Sequence, residues 1–215
     1  MDGVLINSEP LHHQSERELL GRYGVSITDE ELQSYAGKDA TQLLNEFIQH
    51  YNLPVSFKDF YPEHKTNLER VFRESTLETC GAETLIQQLK DGQVPMALAS
   101  SSHRSLIDLI LNKLDLKDTF QIIVGGDEIK RGKPFPDIYL KAASFLECDP
   151  KTCAAIEDSF NGVQSAKDAG LFCIGFQNPT SGNQNLSRAD MIIHQFSELP
   201  VQELFSIKTV IQTSG

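Results

Sequence analysis

Residues 152–175 read TCAAIEDSFNGVQSAKDAGLFCIG, and this run decides the fold. Residues 152–156 form a short apolar strand-like run, 161–169 read as a helix, and 172–175 turn apolar again. A strand, a helix and a second strand in so short a span predict two parallel strands joined by a crossover helix.

Working outward, the same alternation governs everything from Gly81 onward. Helices are predicted over 82–89, 103–114, 136–146 and 197–205, and strands over 94–99, 121–124 and 191–193. The result is an α/β fold with a doubly wound, mostly parallel sheet. Residues 10–80 have a different grammar, with helices at 11–24, 29–34, 39–51 and 57–75, and Leu43, Leu44, Phe47 and Ile48 at helical spacing. Thr28, Asp39 and Ser56 stand where N-caps would. The predicted organisation is therefore a core of residues 1–9 and 81–215, with a helical block of residues 10–80 inserted near its start.

Composition narrows the function. Thirty acidic residues against 19 Lys and Arg give a net charge of -11, which argues against nucleic acid or an anionic membrane as partner, since both demand clustered cations. A small molecule fits better, and a monomer is expected. Cys80, Cys148, Cys153 and Cys173 form no C-x-x-C pair and read as reduced structural thiols, which fits the cytoplasm. No apolar run approaches the length of a membrane span.

Ligands of doubly wound sheets bind at the carboxyl ends of the strands, and four clusters fall there. Met1-Asp2-Gly3 alone would be a turn. The strand-like run ending at Ala99 leads into Ser100, Ser101 and Ser102; Ser100 could cap the following helix or bind an anion, and both uses share one geometry. Lys133 lies in a segment stiffened by Pro134 and Pro136, which would hold a cationic group fixed near a phosphate. Glu157 and Asp158 are adjacent carboxylates at a strand end, suited to a hard cation that takes oxygen ligands.

The ordered set of Asp-Gly, strand-Ser, Lys-Pro and strand-Glu-Asp resembles the haloacid dehalogenase superfamily, in its β-phosphoglucomutase-like branch of cap-bearing phosphatases and mutases. The likeness spans essentially the whole chain and implies a Rossmann-like core, with the helical block as a mobile cap. It implies Mg2+ as cofactor and a small phosphorylated metabolite as substrate. In the family's Asp-x-Asp-Gly motif the second acid matches Asp2 and the x position matches Met1, so the attacking Asp would precede Met1 at the end of a first core strand. The resemblance makes Asp2 the proton shuttle and a backbone-carbonyl ligand to the metal. By the same resemblance Ser100 would orient the phosphoryl group, Lys133 would balance charge, and Glu157 and Asp158 would hold magnesium.

The resemblance further offers Ser101, Ser102, His103, Arg104 and His12 as substrate contacts; Ser102, His103 and Arg104 read equally well as the polar start of a helix, and His12 as a surface or packing residue of the helical block. Mutases of the branch carry a cap Arg shortly after a Gly, whereas residues 35–41 here contain Lys38 and no Arg; Lys38 could serve partly as a point charge. This favours a phosphatase acting through an aspartyl-phosphate over a phosphosugar mutase. A third reading is a non-catalytic protein without its nucleophile. A chain beginning at Met1 is expected to be inactive and poorly stable, because neighbouring strands would keep unpaired edges. Gly81 is expected to absorb backbone rotation in the return linker.

Overall fold

The computed structural model describes residues 1–35, 38, 40–199 and 201. It divides into two compact units, one made of Met1–Asn7 with the chain from Thr79 onward, the other of Ser8–Glu78.

The second unit is helical: α1 (Glu9–Gly21), α2 (Asp29–Gln33), α3 (Ala40–His50) and α4 (Phe57–Glu74). Its core joins Leu19 and Leu20 of α1 to Leu43, Leu44 and Phe47 of α3 and Phe60 of α4. Inside it, the Asn67 amide donates to the Ser15 carbonyl at 2.8 Å and hydroxyl at 3.1 Å, satisfying polar groups that burial would otherwise penalise. Thr28 caps α2 through a reciprocal box with Glu31. Ser56 occupies the N-cap of α4, but its hydroxyl donates to the Asp59 side chain at 2.5 Å instead of accepting from the backbone. Asp39 lies outside the described residues.

The first unit is α/β. After α5 (Glu83–Asp91) come β1 (Ala97–Ala99), α6 (Arg104–Lys113), β2 (Ile122–Val124), α7 (Asp137–Phe145), β3 (Ala154–Glu157), α8 (Phe160–Asp168), β4 (Phe172–Phe176) and β5 (Met191–Ile193). These five strands pair in parallel, as alternating helices require. β1 is shorter than the predicted 94–99 run: Pro95 has no N–H to give a ladder, and the Met96 carbonyl takes a single bond from Gln121. The predicted helix at 197–205 begins as a 3₁₀ turn at Phe196–Glu198, and Val201 is helical; residues 200 and 202–205 lie outside the described residues.

The sheet comes in two pieces, β1 beside β2 and β3-β4-β5. β1 and β3 do not pair with each other; both line an apolar cavity of about 490 Å³, together with Leu85, Ile86 and Leu89 of α5. Met1 and Leu5 also line it, so the N-terminal turn sits at this cavity, where Gly3 N–H donates to Ile6 O at 2.9 Å. The core below β3 and β4 joins Val163 and Ala166 of α8 to Ile138 and Ala142 of α7. All four cysteines are free thiols, and among the described residues no helix is long and apolar enough to cross a membrane.

Candidate active site

The carboxyl ends of β1 and β3 present the polar groups of the first unit. At the end of β1 the chain turns sharply, with the Ser102 N–H donating to Ser100 Oγ at 3.1 Å. The Ser100 and Ser102 hydroxyls both donate to Asp2 Oδ2, at 3.3 and 3.0 Å. Ser100 is 2% exposed, so its hydroxyl is committed to this cluster. It does not cap the next helix: the N-cap of α6 is His103, whose Nδ1 accepts from the Leu106 N–H at 3.3 Å. Ser101 is exposed, and its backbone crosses so close to Gly126 that a Cβ there would lie 2.2 Å from the Ser101 carbonyl oxygen. Arg104 turns to the acids around it. Its guanidinium meets Asp108 at 3.1 Å and Glu128 at 3.4 Å, and its N–H donates to Asp127 at 2.9 Å.

β3 ends in the acidic pair. Glu157 is 4% exposed, and its Oε1 accepts from both Lys133 Nζ and the Tyr139 hydroxyl. A buried carboxylate needs such partners, because its charge is otherwise poorly solvated. Tyr139 stays a donor: burial and the neighbouring Glu157 charge hold its hydroxyl well above the usual range. Gly162 makes room for the carboxylate, since a Cβ there would come within 1.9 Å of Glu157 Oε2.

Asp158 points differently, as the alternation of a strand end demands. Its Oδ2 accepts from the Ser181 hydroxyl. Burial, and then the Glu157 charge, push Asp158 up to about 6. Gly3 packs directly on it: a Cβ at Gly3 would lie 1.8 Å from Asp158 Oδ2, and Gly3 adopts φ 65, a conformation open to glycine without strain. The turn carrying Asp2 and the strand carrying Asp158 therefore meet.

His12 and Lys38 lie in the helical unit. His12 stacks edge-on against Phe72 at 5.4 Å, and Lys38 pairs with Glu46 and lies over the Tyr35 ring at 4.9 Å. Sequence reading missed Tyr139, Asn178 and Ser181. Tyr139 was hidden as one more apolar position of α7, and the other two in a polar stretch that reads only as a turn.

Among the described residues no group of three or more His, Cys, Asp or Glu side chains is placed to hold a metal. The acidic pair still suits a hard cation in its donor chemistry. Glu157 is engaged by Lys133 and Tyr139, whereas Asp158 carries a charge that burial and its neighbour make costly, a cost that a bound cation would relieve.

Residues 1–176 match the family described as haloacid dehalogenase-like hydrolase. The bifunctional riboflavin kinase/FMN phosphatase of Arabidopsis thaliana is 32% identical over 208 residues, 94% of this chain, which spans only 54% of that longer protein. The phosphorylated carbohydrates phosphatase of Thermotoga maritima is 32% identical over 80% of this chain and 79% of its own. Among solved structures, CbbY from Rhodobacter sphaeroides in complex with phosphate superposes with a TM-score of 0.85 at 25% identity, covering 93% of both chains.

Proposed function

The chain belongs to the haloacid dehalogenase-like hydrolase family, and from that premise we propose that it is a magnesium-dependent phosphatase of a small phosphomonoester, a sugar phosphate before other metabolites. Phosphatase relatives support a phosphoric monoester hydrolase, and the Thermotoga relative named for phosphorylated carbohydrates supports the sugar class. The observation that carries the reading is the meeting of Asp2, held by Ser100 and Ser102, with the Gly3–Asp158 contact beside the Lys133–Glu157 pair. Phosphoryl transfer needs alignment and charge neutralisation more than covalent machinery, and these groups are of the types that supply both.

In this reading the nucleophile is an Asp directly preceding Met1, at the end of a strand that occupies the apolar cavity between β1 and β3. The parallel edges on either side of that cavity, and Met1 in its lining, support the placement. The carboxylate attacks phosphorus and the alcohol leaves, giving an aspartyl-phosphate. Asp2 protonates the leaving oxygen, then takes a proton from the water that hydrolyses the intermediate. Ser100 orients the phosphoryl group and Lys133 offsets the gathered negative charge. Asp158 would hold magnesium, with Glu157 a direct or water-mediated ligand and Asp2 adding its backbone carbonyl; when bound, the cation neutralises phosphoryl charge.

On the substrate side the candidate contacts are Ser101, Ser102, His103 and Arg104, with Ser101 exposed. The helical unit is assigned the role of a cap, His12 and Lys38 being its candidate contacts, and Gly81, at φ 85, the hinge. The test is a panel of phosphorylated metabolites assayed with magnesium and with chelator, on the gene product that includes residues encoded before Met1. Release of phosphate from a sugar phosphate, abolished by chelator, is expected. No turnover of any member would favour a non-catalytic protein, and bisphosphate-dependent isomerisation of glucose 1-phosphate would favour a mutase.

A further inference from the structure

Between β4 and β5 the chain runs through Gln177-Asn178-Pro179-Thr180-Ser181-Gly182-Asn183-Gln184, a stretch that composition alone would assign to a solvated turn. The structure gives it firmer anchorage. At its start the Gln177 N–H donates to Ile193 O at 2.8 Å, continuing the β4–β5 pairing. At its end Gln184 accepts from the Phe160 N–H at 3.1 Å, at the first residue of α8, while its own amide donates to Ser181 O at 3.1 Å. Two side chains reach inward from this strap. Asn178, 4% exposed, donates from Nδ2 to the Gly3 carbonyl at 2.9 Å. Ser181 donates to Asp158 Oδ2.

The Asn178 amide is fixed in orientation. Its Oδ1 accepts from both the N–H and the hydroxyl of Thr180, at 2.9 and 2.8 Å, so its nitrogen must face Gly3, where the acceptor is a carbonyl. Ser181 Oγ also stands 2.8 Å from where a Gly3 Cβ would be, so the strap, the N-terminal turn and Asp158 converge on one point. Gly3 and Asp158 are far apart in sequence and share no strand pairing. The strap bonds to both, through Asn178 to Gly3 and through Ser181 to Asp158.

We infer that Asn178 and Ser181 are positioning residues of the phosphatase site: through one strap they fix the Asp2–Gly3 turn against the Asp158 carboxylate, and so set the geometry in which a divalent cation is held. The inference rests on the assignment of Asp158 as cation ligand. Partners that orient a ligand commonly change metal affinity by about 10–100-fold when removed, and a loop with a merely structural role would not do so.

The test compares Ser181→Ala, Ser181→Thr, Asn178→Asp and the parent, all as the gene product that includes residues encoded before Met1, for Mn2+ binding by calorimetry, and for amide exchange over residues 1–6. Asn178→Asp keeps the shape and the acceptor for Thr180 but sets an oxygen against the Gly3 carbonyl. The expected result is Mn2+ affinity weakened about tenfold in Ser181→Ala and Asn178→Asp, recovery to near the parent in Ser181→Thr, and faster exchange at the N-terminal turn in Asn178→Asp. Affinity within twofold of the parent in both losing variants, or a parent that binds no Mn2+, would overturn the inference. A parent that binds Mn2+ in a Ser181-dependent way yet hydrolyses no phosphomonoester would sustain the strap and sink the phosphatase reading alone.

Discussion

Replacing Lys133 with Met tests the charge balance of the site. Lys133 and Glu157 have side chains only 12% and 6% exposed, and the ammonium shares Glu157 Oε1 with the Tyr139 hydroxyl. Met keeps most of the aliphatic stem and removes the charge, leaving a buried carboxylate with one neutral donor. Breaking a buried pair from one side costs about 3–5 kcal/mol, and the surviving Tyr139 bond places this case near the lower end, at about 3 kcal/mol. For a chain of this length that corresponds to a fall in melting temperature of roughly 6–12 °C. Thermal and urea denaturation followed by circular dichroism should show it. Adding Glu157→Gln should recover much of the loss, because the double variant buries no charge and its amide oxygen still accepts from Tyr139. A loss under about 1 kcal/mol, the range of exposed pairs, would refute the claim that the pair is energetically buried.

Burial raises Glu16 in α1 to about 7, with His12 opposing the shift and Glu9 adding to it. The folded chain then holds that proton more tightly than the unfolded one, so stability should fall as pH rises from about 4.5 to about 7 and level off above. Glu16→Gln should flatten this slope and exceed the parent at pH 8 by about 1–3 kcal/mol, read from urea midpoints at pH 5 and 8; an unchanged slope would contradict the assignment. Gly162→Ala should displace the Glu157 carboxylate, which a Cβ would approach to 1.9 Å, at a cost of about 1–3 kcal/mol, and a calorimetric trace matching the parent would rule the clash out. Asp158→Asn should weaken Mn2+ binding more than Glu157→Gln, since Glu157 is already engaged by Lys133 and Tyr139; the reverse order in a Mn2+ titration would exchange their roles.

The parallel α/β grammar was legible because short apolar runs at β3 and β4, separated by a helix-length polar stretch, have few other solutions. Ser100, Lys133, Glu157 and Asp158 could be picked out because strand ends and stiff Pro-flanked loops are visible in one dimension. His103 was read as a substrate contact or a polar helix start, and the structure adds its ring as the cap of α6, a choice between hydrogen-bond partners that spacing cannot make. Tyr139 and Ser181 escaped because their importance lies in contacts with Glu157 and Asp158, 18 and 23 residues away in sequence. The strand run from 94 was too long because Pro95, which cannot donate, was counted into it. The split between β1 and β3 follows from which strands find partners, and the expectation of a further strand anticipated it only through resemblance.

The most direct test of the account is the rate of phosphate release by the gene product with its upstream residues, compared with the same protein in which the residue directly preceding Met1 is changed from Asp to Asn. The account predicts an Asp at that position, magnesium-dependent release from a small phosphomonoester in the parent, and a loss of about a thousandfold or more in the Asn variant. Undiminished release from the Asn variant, or from the 215-residue chain that begins at Met1, would contradict it.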